Sequence, residues 1–256
     1  MGFRYLNRIA APEHIHEFLE LADLAAGGGA DAGNVFELSR RLSDSTPMRL
    51  CERRLRQDPA AAALIASRRP LGPYDLDSLL AMPRDSLGHT YATVMQTMGY
   101  DINFFPTPSF YNDLASDADY INHRVYASHD IHHIISGFSL DNYGETGVIS
   151  ISIAQFSFPA FVFLDLIGML LNWFANEIPE EEVETDEQRL QTLGYVYELV
   201  SQGIAMGLHA RPLFPVLWEE RMEQNLDALR QELGIVPVQE GPYSWYSNPA
   251  IMAALH

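Results

Sequence analysis

An all-α fold, built as a single helical domain, is what this sequence predicts. Three observations carry that expectation. Apolar residues recur at helical spacing, as in Leu87, Tyr91, Val94, Met95 and Met98. Helix starts and stops are written into the chain, among them Asp58-Pro59, Ser116-x-x-Asp119, Gly99 and Gly234. No convincing hairpin signal separates alternating runs, so strands have little to be built from.

Taken in order, residues 12–25 read as an amphipathic helix with a Leu19/Leu21/Leu24 stripe, ended by the three glycines 27–29. His14 and His16 lie two apart, do not share a helix face, and read as surface residues. Val35, Phe36, Leu38 and Leu42 open the next helix, and 48–56 follows with one basic side. Asp58 caps a helix with Pro59 at its first position; Arg68-Arg69-Pro70 stops it. Arg49, Arg53, Arg54, Arg56, Arg68 and Arg69 stand out in an acidic chain. They read as a solvated helix face, with a phosphate or carboxylate contact as the alternative. Residues 74–80 form a short helical turn. Asp85 or Ser86 caps the helix that ends at Gly99, with His89 off its apolar stripe. The stretch 101–111 is an aromatic loop carrying Pro106 and Pro108, suited to covering something apolar. Ser116 and Asp119 form a capping box that opens a helix over about 117–136.

Residues 146–164 carry no charge; Asp165 interrupts and 166–175 continues apolar. By length this run is a membrane-span candidate. Ser150, Ser152, Gln155 and Ser157 are spread through it and Pro159 sits near its centre. A long, buried central helix is therefore expected instead. Residues 178–186 read as an acidic loop, 190–208 as a further apolar helix, and 212–233 as a last amphipathic helix stopped by Gly234. Gly203 and Gly207, four apart, would let another helix or a lipid chain approach closely. The organisation expected is a helical extension over 1–70 packed on a core over 71–236, with an irregular tail over 237–256.

Composition narrows the function classes. The 256 residues carry 34 acids against 16 bases, a net charge of −18, which argues against a nucleic-acid partner. It also argues against charge-driven attraction to an anionic membrane, so any membrane contact must be apolar. Apolar residues make up 47% of the chain, which fits a folded core. Cys51 is the one cysteine, which excludes an internal disulfide and fits a reducing cytoplasm. The first ten residues lack the apolar segment of a secretory signal.

The chemistry concentrates in His129-Asp130-Ile131-His132-His133 followed by Glu145, an H-D-x-x-H-x11-E pattern. His129 and His133 are one helical turn apart and can point at one spot. Asp130 is rotated about 100° away but has the reach to close on it. Gly137, Asp141-Asn142 and Gly144 let the chain turn and present Glu145 at the start of the next helix. Two imidazoles and two carboxylates neutralise a divalent cation and leave room for water or substrate. That set suits zinc, iron or manganese better than a closed structural zinc site. The competing reading is a polar face whose histidines bond neighbouring carboxylates. His132, three after His129, can compete as a ligand. With the long helix beginning at Glu145, the site lies against an apolar wall. A molecule with a polar head and a hydrocarbon tail would suit it, unless the wall is simply core.

The H-D-x-x-H-x11-E run resembles the signature of the coenzyme Q biosynthesis protein 4 family. Met82-Pro83-Arg84-Asp85-Ser86-Leu87-Gly88-His89-Thr90-Tyr91 resembles its helix opening, and Trp218-Glu219-Glu220-Arg221 with Leu229-Arg230-Gln231-Glu232-Leu233-Gly234-Ile235 its carboxy-terminal run. The likeness spans about residues 75–236. It implies ligands His129, Asp130, His133 and Glu145 for a divalent ion, with zinc first and iron, manganese or magnesium as alternatives. It also implies oxidative removal of the C1 carboxylate from a polyprenylated benzenoid quinone precursor, with a hydroxyl put in its place. Partners implied are that lipid or another isoprenoid, other quinone-biosynthesis enzymes, and a second copy as a homodimer. The expected location is cytoplasmic, held peripherally at the inner (plasma) membrane. Two other functions stay open: a non-catalytic isoprenoid-binding scaffold, and a metal-dependent phosphohydrolase, for which His89 and Asp165 would supply the further ligands.

Overall fold

Ser116 starts the helix around which the molecule is built. In the computed structural model, which describes residues 11–29, 31–177 and 186–255, its hydroxyl accepts the Asp119 N–H at 3.0 Å. The Asp119 carboxylate accepts the Ser116 N–H in return, also at 3.0 Å, closing a capping box. The helix then runs as Asp117–Ser136 and is buried on nearly all sides.

Around this helix (α7) lie, in chain order, α1 Pro12–Ala26, α2 Gly33–Arg41, α3 Thr46–Leu55, α4 Pro59–Ser67, α5 Leu76–Leu80 and α6 Leu87–Met98 before it. After it come α8 Asn142–Phe156, α9 Pro159–Glu177, α10 Asp186–His209, α11 Leu226–Leu233 and α12 Pro249–Leu255. Among the described residues two isolated bridges, Ser86 with Asn225 and Phe138 with Ser244, are the only extended pairings. The all-α reading therefore holds.

α7 serves two cores. Its first half gives Tyr120, Ile121, Val125 and Tyr126 to a cluster shared with α1, α3 and α4 and with Phe158 and Phe161. Its second half gives Ile131, Ile134 and Ile135 to a cluster with α6, α11 and Trp245. Each of those isoleucines is fully buried, worth about 2 kcal/mol apiece. The amino-terminal arginines tie these layers together. Arg56 and Arg68 both pair with Asp117 at the start of α7, and Arg69 reaches Glu219 and Glu220. All three pair within the chain, while the Arg56 and Arg69 side chains remain about half exposed, as a solvated face would be.

The expected single helix over 146–175 is two helices. Ser157 ends α8 in the left-handed region at φ 52°, and Pro159 opens α9. An unbroken helix would press the Pro159 ring on the carbonyl of residue 155 and delete a hydrogen bond, at a cost of about 3 kcal/mol. The chain breaks instead, and Gln155, just before the break, ties α8 to the end of α10 and the segment that follows it. Its amide donates to the Gly207 and Arg211 carbonyls and accepts the Leu213 N–H. Ser157→Gly should be neutral or stabilising by up to about 1 kcal/mol, since glycine adopts this conformation without the Cβ penalty. A thermal melt checks it.

α8 and α10 pack backbone to backbone. A Cβ at Gly203 would fall 2.1 Å from the Gly147 carbonyl oxygen, and one at Gly207 2.6 Å from that of Ile151. The close approach read from their spacing is thus to another helix. Among the described residues no helix is long and apolar enough to cross a membrane.

The last helix is also shorter than its pattern. Residues 222–226 spend backbone groups on the start of α6: Leu87 and Gly88 donate to Gln224 and Met222, and Leu226 donates to Asp85. Only after Asn225 caps the Ala228 N–H at 2.8 Å does α11 begin. The tail expected to be irregular carries α12, packed on α6, and buries Trp245. The loop expected over 178–186 lies outside the described residues except for its last position, as does the reading of residues 1–10.

Candidate metal centre

His129 and His133 leave α7 one turn apart, and a tight turn brings Glu145 to them. Gly137 terminates α7 at φ 85°, where a Cβ would also strike the Val238 backbone at 2.3 Å. Asp141 then caps α8 by accepting the Tyr143 and Gly144 N–H groups at 3.0 and 2.8 Å. At Gly144 a Cβ would lie 1.9 Å from the Ser139 carbonyl oxygen, so no larger residue fits. Glu145 consequently sits in the first turn of α8, facing the histidines.

Glu145 Oε2 lies 2.7 Å from His129 Nε2, and Oε1 lies 3.2 Å from His133 Nε2. The two Nε2 atoms are themselves 3.2 Å apart. These three residues are the one group of clustered metal-ligand side chains among the described residues. The Glu145 side chain is 43% exposed and that of His133 only 1%, so the cluster has a buried wall and an open side.

The donor chemistry fits a cation. His133 Nδ1 faces the Phe138 carbonyl at 3.4 Å, an acceptor, so Nδ1–H donates there and a neutral ring keeps its lone pair on Nε2. That lone pair points at His129 Nε2 and at a Glu145 oxygen, and a positive charge at their meeting point, whether a metal ion or a proton on His129 Nε2, satisfies all three. The carbonyl partner is the outer contact that usually fixes the tautomer of a metal-ligating histidine. The electrostatics agree. Burial pushes the Glu145 carboxyl up, but His129 and His133 together outweigh it and hold it well below the usual range. Burial lowers His129, yet the Glu145 carboxylate prevails and raises it.

Asp130 stands outside the triad. It lines the same cavity, and burial, opposed by the two histidines, raises its carboxyl. His132 points elsewhere: it packs edge-on against Trp218 at 5.6 Å, and burial drives it down to about 3. His123 is spoken for, with Nδ1–H donating to Pro106 and Nε2 accepting the Leu71 N–H. His89 Nδ1 lies 2.9 Å from the Leu80 carbonyl and does not line the cavity. His16 pairs with Glu20 on the surface.

The triad forms part of the wall of a cavity of about 690 Å³, a size that takes an organic ligand rather than an ion alone. The rest of the wall is largely apolar, with Val35, Phe36, Ile149, Phe161 and Leu164. Phe104 of the aromatic loop and Tyr100 just before it also line it, as a covering segment would.

Two side chains not anticipated from the pattern brace the site from behind. Trp245 Nε1–H donates to the His133 carbonyl at 3.0 Å. Arg230, 2% exposed, donates to the Ile134 and Ile135 carbonyls at 2.7 and 3.0 Å. They satisfy the last carbonyls of α7, where a cation is also favoured by the helix dipole. The signal for Arg230 was its place inside an apolar helical stripe.

The model of the family described as Coenzyme Q (ubiquinone) biosynthesis protein Coq4 matches residues 29–239. The match therefore begins well before residue 75. The mitochondrial ubiquinone biosynthesis protein COQ4 of Clavispora lusitaniae is 26% identical over 204 residues, 79% of this chain and 59% of that protein. Its counterpart from Zygosaccharomyces rouxii is 31% identical over 163 residues, 64% of this chain and 44% of that protein. The COQ4 homolog of Rattus norvegicus is 28% identical over 185 residues, covering 72% and 63%. The chain thus spans about half the length of the curated relatives it matches. A crystal structure from Nostoc punctiforme, provisionally named a ubiquinone biosynthesis protein, superposes with a TM-score of 0.70 over 86% of this chain and 95% of that one. At 23% identity it shows a shared fold.

Proposed function

The chain belongs to the coenzyme Q (ubiquinone) biosynthesis protein Coq4 family, and from that premise we propose that it is a metal-dependent enzyme acting on a polyprenylated benzenoid precursor of ubiquinone. One observation carries the reading: two imidazole nitrogens and a carboxylate converge on one point in the wall of a largely apolar cavity. His129, His133 and Glu145 would hold the ion, with Asp130 beside them as a fourth ligand or as the base that orients one. The fields that depress Glu145 and raise His129 favour a cation there. Zinc, iron and manganese suit two imidazole nitrogens and carboxylate oxygens, whereas magnesium prefers oxygen ligands alone.

The reaction proposed replaces the C1 carboxylate by hydroxyl. The carboxylate leaves as carbon dioxide, water supplies the hydroxyl oxygen, and the two electrons and two protons released pass to an oxidant such as dioxygen, which becomes hydrogen peroxide. When bound, the ion supplies positive charge to the ring's oxygens, and a redox metal would also serve the oxidant. The protein's part is placement. The apolar wall holds the isoprenoid tail and keeps water from the ring, while His133, clamped between Phe138 and Trp245, keeps its lone pair aimed at the polar end. A phosphohydrolase would need more ligands, and His89 and Asp165 do not join the triad.

The surface supports contact with a membrane by apolar groups. Leu166, Leu170 and Trp173 of α9, at i, i+4 and i+7, are 55%, 42% and 54% exposed. The same helix lines the cavity through Gly168 and Leu171. A tail could pass from the bilayer along α9 to the triad, with the other quinone-biosynthesis enzymes meeting the protein at that surface.

Two measurements test this reading. Metal analysis of the purified protein should find about one divalent ion per chain, lost in His133→Ala. Gly168→Leu should plug the cavity, since a Cβ there meets nothing within 4 Å. It should keep its metal and lose about tenfold or more in affinity for a geranyl hydroquinone. Full affinity in that variant would show that the lipid lies elsewhere.

A further inference from the structure

α9 presents Phe161, Leu164, Asp165, Gly168, Leu171 and Asn172 to the cavity, a stripe at helical spacing with a single carboxyl in its middle. Asp165 is 7% exposed. Its Oδ2 accepts the hydroxyl of Ser150, itself fully buried, at 2.8 Å. Its Oδ1 is buried with no hydrogen-bond partner. An unsatisfied carboxyl oxygen in a largely apolar wall is destabilising unless something bonds it. The other polar residue of the stripe, Asn172, is turned back on its own helix and donates to the Gly168 carbonyl.

Burial pushes the Asp165 carboxyl up to about 7, with the Ser150 hydroxyl offsetting part of the rise. Near neutral pH much of it is therefore the acid, which carries an O–H donor as well as acceptor lone pairs. Such a group suits a hydroxyl or carbonyl oxygen on a neutral ring. It suits a cation or an anion poorly. Its place along the fold is also informative. Asp165 lines the same cavity as His129, His133 and Glu145, from α9 rather than from α7 or α8, so a ring held in that cavity can present one oxygen to each.

We propose that Asp165 is a substrate-binding residue whose free Oδ1 hydrogen-bonds a ring oxygen of the aromatic ligand, at the end of the ring away from the His129/His133/Glu145 centre. The assignment rests on the ring-binding reading above and adds to it the residue that sets ring orientation. Selectivity then comes from a ring oxygen that would otherwise leave Asp165 unpaired, which discriminates more strongly than apolar fit does.

The test is a cycle between residue and ligand on the full-length, metal-loaded protein. The probes are 2-geranyl-hydroquinone, 2-geranylphenol and 3-geranylphenol in detergent micelles, with binding followed by tryptophan fluorescence. Asp165→Leu should weaken the hydroquinone about tenfold and leave unchanged the monophenol that lacks the oxygen Asp165 reads. Asp165→Asn, which keeps a donor and an acceptor, should bind the hydroquinone within about threefold of wild type. Metal content and melting temperature of both variants report on folding separately. Equal losses for all three probes, or no loss for any, would overturn the assignment. Failure of wild type to bind any probe would overturn the ring-binding reading and this assignment with it, a pattern distinct from either.

Discussion

Glu145→Gln is expected to weaken metal binding by at least about a hundredfold and to abolish quinone formation while leaving the fold intact. Removing even an outer-shell partner of a metal ligand costs about 10–100-fold, and among the described residues Glu145 is the carboxylate whose oxygens reach both histidines. Glutamine keeps the size and one acceptor but loses the charge that neutralises the ion. The fold should tolerate the change because the side chain is nearly half exposed and the start of α8 is set by Asp141. Metal analysis with circular dichroism checks it: the expected result is a metal-poor protein of unchanged helicity. A variant that retains its metal would remove Glu145 from the site.

Arg230→Met should cost about 3 kcal/mol or more and lower the melting temperature by about 6–12 °C. The guanidinium is buried and serves two main-chain carbonyls, and its third nitrogen meets the Tyr246 hydroxyl at 2.6 Å and Asp227 at 3.0 Å. Deleting it strands the carbonyls at the end of α7 with no water to replace it. Lysine should recover little, because one ammonium cannot span the fork of contacts. Asp227 is 77% exposed on its side chain, so Asp227→Ala should be nearly silent. The two substitutions together, followed by thermal melts, separate the backbone contacts from the surface ion pair. Because the carbonyls served follow directly on His133, Arg230→Met should also loosen metal binding before the protein unfolds.

Much of this was legible in the sequence where a local rule decides the structure. Ser116 and Asp119 form the capping box, Asp58 and Ser86 cap α4 and α6, and Gly99 ends α6. The convergence of His129, His133 and Glu145 was legible for the same reason: two residues a turn apart and a third delivered by a glycine-rich turn. What stayed hidden depended on distant partners. The break at Ser157 and Pro159 is the exception: its cause is local, a proline inside the run, and it was outweighed by the length of uncharged sequence around it. Residues 212–225 keep a helical rhythm, yet their backbone groups are claimed by the start of α6. Arg230 stands out only as a charge inside an apolar stripe, and neither it nor Trp245 shows in the sequence which carbonyls it will serve. Asp130 is a matter of degree, since adjacency on a helix fixes its direction but not its reach.

On the function proposed above, His129, His133 and Glu145 hold a metal ion that serves ring chemistry on a prenylated quinone precursor. Quinone-lipid mass spectrometry on a deletion strain of the native host, rescued with wild type or with Glu145→Gln, tests it most directly. The predicted result is build-up of a prenylated precursor that still bears the ring carboxylate, cured by wild type and not by the variant. Equal rescue by both would contradict the claim and leave a lipid-holding scaffold in its place; an unchanged quinone pool in the deletion strain would contradict the substrate itself.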